Sequence, residues 1–306
     1  MVRAARLLKK LNAFAVYAVL ALISLLLNLV LPPNAATMAA YHLTKTEYHV
    51  LVLLIYLPMA AIWFTAFYGY KTLQDYTALI KKTDEGQNFY KMSIGLVWLA
   101  WGAPLSSISS AILYAIVHNN VGLYTTAIII EHYISVVIAI VAFTYIGIGT
   151  HKLAARNQRP TSLSIQLIML FFTAFGVIYS FFTFNQVTGT SVNPYHLPVW
   201  IILLTIIVPY LYAWYMGLFS AYEILLYRQQ ATGLLYKRAL TYIASGIAAI
   251  IASSIMVEFI TSGTKYLTRL NLNAVLLVVY IFLAISAVGY LLVALGTKKL
   301  KKIEEV

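Results

Sequence analysis

The chain has 306 residues, of which 62% are hydrophobic and only 10% are charged, and its mean hydropathy is +0.84. Soluble domains carry about a quarter of their residues as charged ones, so this composition excludes a soluble protein and indicates an integral membrane protein. The absence of cysteine excludes disulfides, thiolate metal sites and cysteine nucleophiles.

The net charge of +12 does not indicate a nucleic-acid-binding protein. The basic residues lie between apolar segments and near both ends of the chain, whereas nucleic acid binding needs them together on one soluble face. We therefore expect the lipid bilayer, and not nucleic acid, to be the main partner of this chain.

Eight segments are long and apolar enough to cross a bilayer, which takes about 20 residues. A basic N-terminus precedes the first segment, as in a signal peptide, but the apolar run 13–31 is too long for a signal core and predicts a retained helix. In chain order the segments are 12–31, 48–70, 92–117, 125–149, 163–185, 197–226, 239–260 and 273–296.

The lysines and arginines predict the orientation of these helices. Alternate connections between eight spans place 18 basic residues on one side of the membrane and 3 on the other. By the positive-inside rule, both termini are cytoplasmic and the protein is a multi-pass protein of the cytoplasmic membrane. The longest connection on this side, Lys71 to Lys91, holds only Asp75, Asp84 and Glu85 as acids.

Short polar motifs recur about 147 residues apart along the chain. Tyr48-His49 returns as Tyr195-His196, and Tyr133-Ile134 returns as Tyr280-Ile281. A self-match at a fixed period indicates a duplicated structural unit. We therefore predict an all-α integral membrane protein of eight transmembrane helices in two parallel four-helix repeats, residues 1–152 and 153–306, since an even number of spans gives both copies one orientation.

Small residues in the third and seventh segments mark places where helices approach closely, because apolar side chains do not drive helix association in lipid. The functional interpretation is a central seam shared by the two helices, and the alternative is tight structural packing. The residues concerned are Gly102, Ser106, Ser110, Ala248 and Ala252.

Glu131 is the acidic residue that costs most to bury. It lies about 9 Å inside the fourth segment at about 1.5 Å per residue, and intramembrane acids are candidates for function. We predict an ion or proton site at Glu131 with His132 or His118 as partner, and a hydrogen bond to tyrosine or serine is the structural alternative. By contrast, Asp75 and Glu223 are predicted to pair with lysine or arginine at the cytoplasmic boundary.

His49 and His196 occupy matching positions of the two predicted repeats. Two imidazoles that face each other can bind a metal ion or a haem iron. The alternative is that each Tyr-His pair anchors its helix at the membrane boundary, where amphipathic rings are common. The sequence does not decide whether a cofactor is bound.

Three classes of function fit this pattern. The first is a transporter or channel-like protein for a small solute, proton or cation, with a polar site toward the outer leaflet in the first repeat. The second is a redox, metal-binding or haem-binding subunit, and the third is a non-catalytic scaffold, alone, as a homo-oligomer or beside a partner subunit. An enzyme is disfavoured, because these spacings assemble no nucleophile, base and orienting residue.

Overall fold

A computed structural model describes residues 2–31, 42–117, 121–154, 162–183, 199–262 and 272–304. Within these ranges the chain is helical apart from short turns and contains no strand. The helices are α1 (Val2–Val30), α2 (Lys45–Leu79), α3 (Asp84–Val117), α4 (Val121–Ala154), α5 (Ser162–Thr183), α6, α7 (Leu234–Ser262) and α8 (Leu272–Glu304). Helix α6 consists of a turn at Val199–Ile202, a π-helical segment at Leu203–Ile207 and a long segment at Val208–Gln230.

Seven of the helices in the described ranges are long and apolar enough to cross a membrane, and α5 contributes a shorter apolar helix at Ser164–Tyr179. The prediction of a polytopic helical membrane protein is therefore confirmed. Several helices extend beyond the bilayer: α2 has 35 residues, or about 52 Å of helix against about 30 Å of hydrocarbon.

The connection between α2 and α3 is much shorter than the sequence predicts. Both helices continue through the charged stretch, and only Ile80 to Thr83 separates them. The Thr83 side chain accepts a hydrogen bond from the Gly86 amide at 3.0 Å, as at a helix N-terminus. A Cβ at Gly86 would clash with the Ile80 carbonyl oxygen, so this tight turn requires glycine.

Six helices pack in a closed order of neighbours. Helix α2 packs on α3, α3 on α4, α4 on α6, α6 on α7, α7 on α8, and α8 returns to α2. The other two helices lie outside this ring, α1 against α2 and α3, and α5 against α4 and α6. We call the end of the ring where α2, α4, α6 and α8 finish the basic end, because it carries Lys81, Lys82, Lys152, Lys298 and Lys299.

The α3–α4 and α7–α8 contacts have the same pattern. Gly95 lies against the backbone of Ala142 in α4, and Gly246 lies against the backbone of Gly289 in α8. The contact residues of α3 and their counterparts in α7 are thus separated by a constant number of residues. The counterparts in α4 and α8 are also separated by a constant number, which is slightly smaller. The close approach of Gly149 to Asn88 and of Gly296 to Ala239 shows the same two offsets.

Two prolines inside helices leave carbonyl groups that tyrosines of other helices satisfy. Pro104 has no amide hydrogen for the carbonyl of Ala100, one turn earlier, and Tyr17 of α1 donates its hydroxyl to that oxygen at 2.6 Å. Pro58 likewise leaves the carbonyl of Leu54 without an amide donor from its own helix. This oxygen accepts a hydrogen bond from Tyr280 of α8 at 3.0 Å. These bonds stabilise helix contacts inside the bilayer, where no water competes for the hydrogen-bonding groups.

Removing either hydroxyl is expected to destabilise the fold measurably. Tyr17→Phe and Tyr280→Phe should each lower the free energy of unfolding by about 1 kcal/mol, the usual net value of such a bond. Denaturant unfolding in detergent micelles measures this change. Tyr222→Phe, at an exposed position of α6, is the control and should leave the unfolding midpoint unchanged. An equal loss of stability in all three variants would contradict the stabilising role of the Tyr17 and Tyr280 hydrogen bonds.

Candidate functional site

Three polar contacts follow one another along the interface between α4 and α6. At the basic end, Glu223 contacts Thr150 and His151; further along, Thr144 contacts Tyr212. Toward the opposite end, Tyr133 contacts Thr205. We call these three contacts the α4–α6 polar row.

Glu223 is the buried acid of this row, with its side chain 3% exposed. Thr150 donates its hydroxyl to Oε2 of Glu223 at 2.8 Å, and Nδ1 of His151 lies 2.5 Å from Oε1. The contact is an ion pair when the imidazole is protonated, and His151 is itself partly exposed. A carboxylate and an imidazole in direct contact can exchange a proton.

The other two contacts join hydroxyl groups. Oγ1 of Thr144 and Oη of Tyr212 are 3.1 Å apart, and Oη of Tyr133 and Oγ1 of Thr205 are 2.8 Å apart. Thr205 lies in the π-helical segment of α6 and donates to the carbonyl of Ile201 at 2.7 Å. Such a segment, just before Pro209, is typical of functional positions in helices.

The polar row extends over most of the membrane thickness. Its contacts run from Tyr133 to His151 in α4 and from Thr205 to Glu223 in α6. Either stretch corresponds to about 27 Å of helix, close to the thickness of the hydrocarbon core. Buried apolar residues of α4, including Val136 and Ile140, lie between the contacts, so water would have to enter for ions or protons to pass along the whole row.

The interface of α2 with α8 occupies the corresponding place on the other side of the ring, but it is less polar. It too has a tyrosine contact toward one end, Tyr280 with Leu54, and a basic-end contact, Lys298 above the ring of Tyr68 at 4.9 Å. Between these two contacts, Gly69 of α2 lies against the backbone of Tyr290 in α8.

The predicted ion site is only partly described. Glu131 and His132 lie in α4, just before Tyr133 of the polar row, but their side chains are outside the described residues. His118 and His196 also lie outside them. An ion site formed by Glu131, His132 and His118 therefore stays a prediction.

Near the start of α2, His49 is half-buried, and its Nδ1 has no hydrogen-bond partner among the described residues. Glu47, one turn before Leu51, closes a capping box with Thr44, whose hydroxyl donates to the carboxylate at 2.7 Å. No group of three or more histidines or acids that could hold a metal ion occurs in the described ranges. A metal or haem site at His49 and His196 stays a prediction, because His196 is not described.

The small residues of α3 and α7 pack on the helix that follows each of them. Gly102 lies against the side chain of Ile138 in α4, and Ser110 donates to the carbonyl of Ser106 in its own helix at 2.9 Å. In α7, Ala248 is half-buried and Ala252 is exposed. The Gly102 contact and the Ser110 bond are those of helix packing, and a central seam shared by α3 and α7 stays a prediction.

Sequence reasoning missed the basic-end part of the polar row. Glu223 was expected to pair with lysine or arginine, but its partners are Thr150 and His151. A signal was present in α4, because Thr144 and His151 follow Tyr133 at nearly whole numbers of helical turns and so share one face with it. The sequence could not indicate that α4 packs on α6.

A second polar cluster joins α3, α7, α6 and α2 at the basic end. The hydroxyl of Tyr236 in α7 donates to the carboxylate of Glu85 in α3. The ring of Tyr227 in α6 lies 6.5 Å from that of Tyr236 between centroids, and the fully buried Tyr76 of α2 lies beside both Glu85 and Tyr236. Glu85 and Tyr236 are separated along the chain by the same offset that relates the contacts of α3 to those of α7.

No family model, curated protein or solved structure matches this chain.

Proposed function

We propose that this protein is a transporter or channel-like protein that moves a proton or small cation across the membrane. The observation that carries the proposal is the α4–α6 polar row, which places polar contacts over about 27 Å along one helix interface of the bundle. Polar groups inside a membrane are costly and mark ion or proton pathways.

The chemistry of the row favours protons or cations over other solutes. Its groups are one carboxylate, one imidazole and five hydroxyls. Hydroxyls can both donate and accept hydrogen bonds, and Glu223 with His151 can hold or release a proton. In this proposal Glu131, close to Tyr133 in the chain, supplies a second carboxylate toward the opposite end.

We also propose that the ring consists of two parallel repeats, residues 1–152 and 153–306, with both termini cytoplasmic. The order of neighbours supports this, because α2, α3 and α4 are related to one another as α6, α7 and α8 are. The matching glycine contacts support the same relation. The cytoplasmic placement rests on the excess of basic residues at one end.

Blocking the middle of the row provides the test. Purified protein is reconstituted into liposomes, and flux is followed under a pH gradient and, separately, under sodium and potassium gradients. Thr144→Val removes one hydroxyl without changing side-chain size and should slow the flux several-fold, because a polar partner of Tyr212 is lost.

Thr297→Val is the matched control. Thr297 is equally buried but donates only to the carbonyl of Val293 in its own helix, so this variant should conduct like the parent. Absence of flux by the parent under all three gradients would overturn the proposal, and equal slowing by both variants would remove the polar row as the path.

A further inference from the structure

The second polar cluster holds one carboxylate among the hydroxyl groups of three tyrosines. Glu85 is half-buried in the first turn of α3 and accepts a hydrogen bond from Tyr236, in the first turn of α7. Helices α3 and α7 are not neighbours in the ring, so this bond crosses its interior. The rings of Tyr227 and Tyr236 lie 6.5 Å apart between centroids. Residues from opposite sides of the ring therefore meet at the carboxylate of Glu85.

The hydroxyl of Tyr76 is the group of this cluster that the fold does not explain. Tyr76 is fully buried, and its Oη has no hydrogen-bond partner within the described residues. Tyr76 lies in the last turn of α2, and its ring lies 5.4 Å between centroids from that of Phe89, which follows Glu85 by one turn on the same face of α3. A buried hydroxyl without a partner costs about 1–3 kcal/mol, and a bound group in contact with it would remove this cost.

The carboxylate of Glu85 has no positive partner among the described residues. It forms no ion pair with lysine or arginine there, and its hydrogen bond comes from a neutral phenol. The core next to it is apolar, since Phe89, Leu240 and Leu300 are fully buried in the cluster that also contains Tyr76. The start of α3 favours an acid at this position, but it offers no partner to the hydroxyl of Tyr76. A single positive charge beside Glu85 would compensate the carboxylate.

We propose that Glu85, Tyr76 and Tyr236 bind one monovalent cation, a proton or an alkali metal ion, at the basic end of the ring. A proton turns the carboxyl group into a donor, and the Oη of Tyr76 can accept from it. A sodium or potassium ion is a hard cation and takes carboxylate and hydroxyl oxygens as ligands. One carboxylate compensates one charge, which disfavours a divalent ion. The site rests on the proposed function, because it would hold the same ion that the α4–α6 polar row conducts.

The test measures binding to the purified full-length protein in detergent, without a membrane gradient. Thermal unfolding is followed in sodium, potassium or choline chloride at equal ionic strength, and infrared spectroscopy detects the C=O stretch of a protonated carboxyl group. Glu85→Gln removes the charge, and Asp84→Asn, at the exposed acid one residue earlier, is the matched control. Tyr76→Phe removes a hydroxyl without a partner among the described residues, so this variant should fold like the parent.

A metal ion is the ligand if sodium or potassium raises the unfolding midpoint of the parent above its value in choline chloride. Glu85→Gln should abolish this rise, and Asp84→Asn should leave it unchanged. Tyr76→Phe should increase the required ion concentration about tenfold, as expected for one contact with a charged group.

A proton is the ligand if the parent has a protonated carboxyl band that Glu85→Gln lacks and Asp84→Asn keeps. Tyr76→Phe should then shift the frequency of this band, because the carboxyl group loses its acceptor. A parent that shows neither a rise specific to sodium or potassium nor a carboxyl band that depends on Glu85 would overturn the proposal. Because neither measurement uses flux, failure of this site and failure of the proposed conduction are observed separately.

Discussion

Glu223→Gln is expected to lower ion flux by about 100-fold, the lower end of the effect of losing a positioned proton donor or acceptor. Glutamine keeps the shape of the side chain and can still accept from Thr150 and contact His151. It cannot, however, release a proton or carry a charge. The fold should therefore persist while transfer at the basic end of the polar row stops.

The matched control is Asp75→Asn. Asp75 is a partly exposed acid near the basic end of α2, outside the α4–α6 polar row. The assay is the same liposome flux measurement, with helical circular dichroism as the check on folding. An equal loss of flux in Glu223→Gln and Asp75→Asn, or normal flux in Glu223→Gln, would show that Glu223 has no specific role in ion transfer.

Gly246→Leu is expected to have the largest effect on stability. A Cβ at Gly246 would lie 2.5 Å from the carbonyl oxygen of Gly289 and 2.8 Å from Cγ2 of Val293. Neither helix backbone can yield without separating α7 from α8 along their whole contact. We expect the free energy of unfolding to fall by about 3 kcal/mol or more, at or above the usual cost of overpacking.

Ser245→Leu, at the next position, is the control. Ser245 is exposed on α7, where a larger apolar side chain can face lipid without a clash. Unfolding of each variant in mixed micelles by increasing denaturant gives the comparison. A stable Gly246→Leu protein would mean that α7 and α8 are not in backbone contact at Gly289.

Most helix positions followed from the sequence, because an apolar run of about 20 residues has few folded alternatives to a membrane-spanning helix. The charged ends of α2 and α3 did not follow. Residues between Lys71 and Lys91 are helical beyond the apolar runs, where hydropathy carries no signal and only the Thr83 cap and its acidic neighbours indicate a helix start.

The candidate site was harder to predict than the fold. Glu131 was recognised because a single carboxylate in an apolar run is conspicuous, whereas Thr144, Tyr212 and Thr205 are ordinary residues of membrane helices. Their importance depends on which helices are neighbours, and the packing of α4 on α6 skips the helix that lies between them in the chain. No local pattern encodes that choice.

The hydrogen bond between Tyr236 and Glu85 gives a physical reason for joining the two proposed repeats in one chain. Under the duplication that we propose, these residues are equivalent positions, and a bond between equivalent positions lies on the axis that relates the halves. A symmetric dimer of separate subunits must place two identical residues on such an axis, and two glutamates there would repel each other. Joining the halves in one polypeptide allows an acid to face a phenol, so covalent fusion permits a complementary contact that a dimer of identical subunits cannot form.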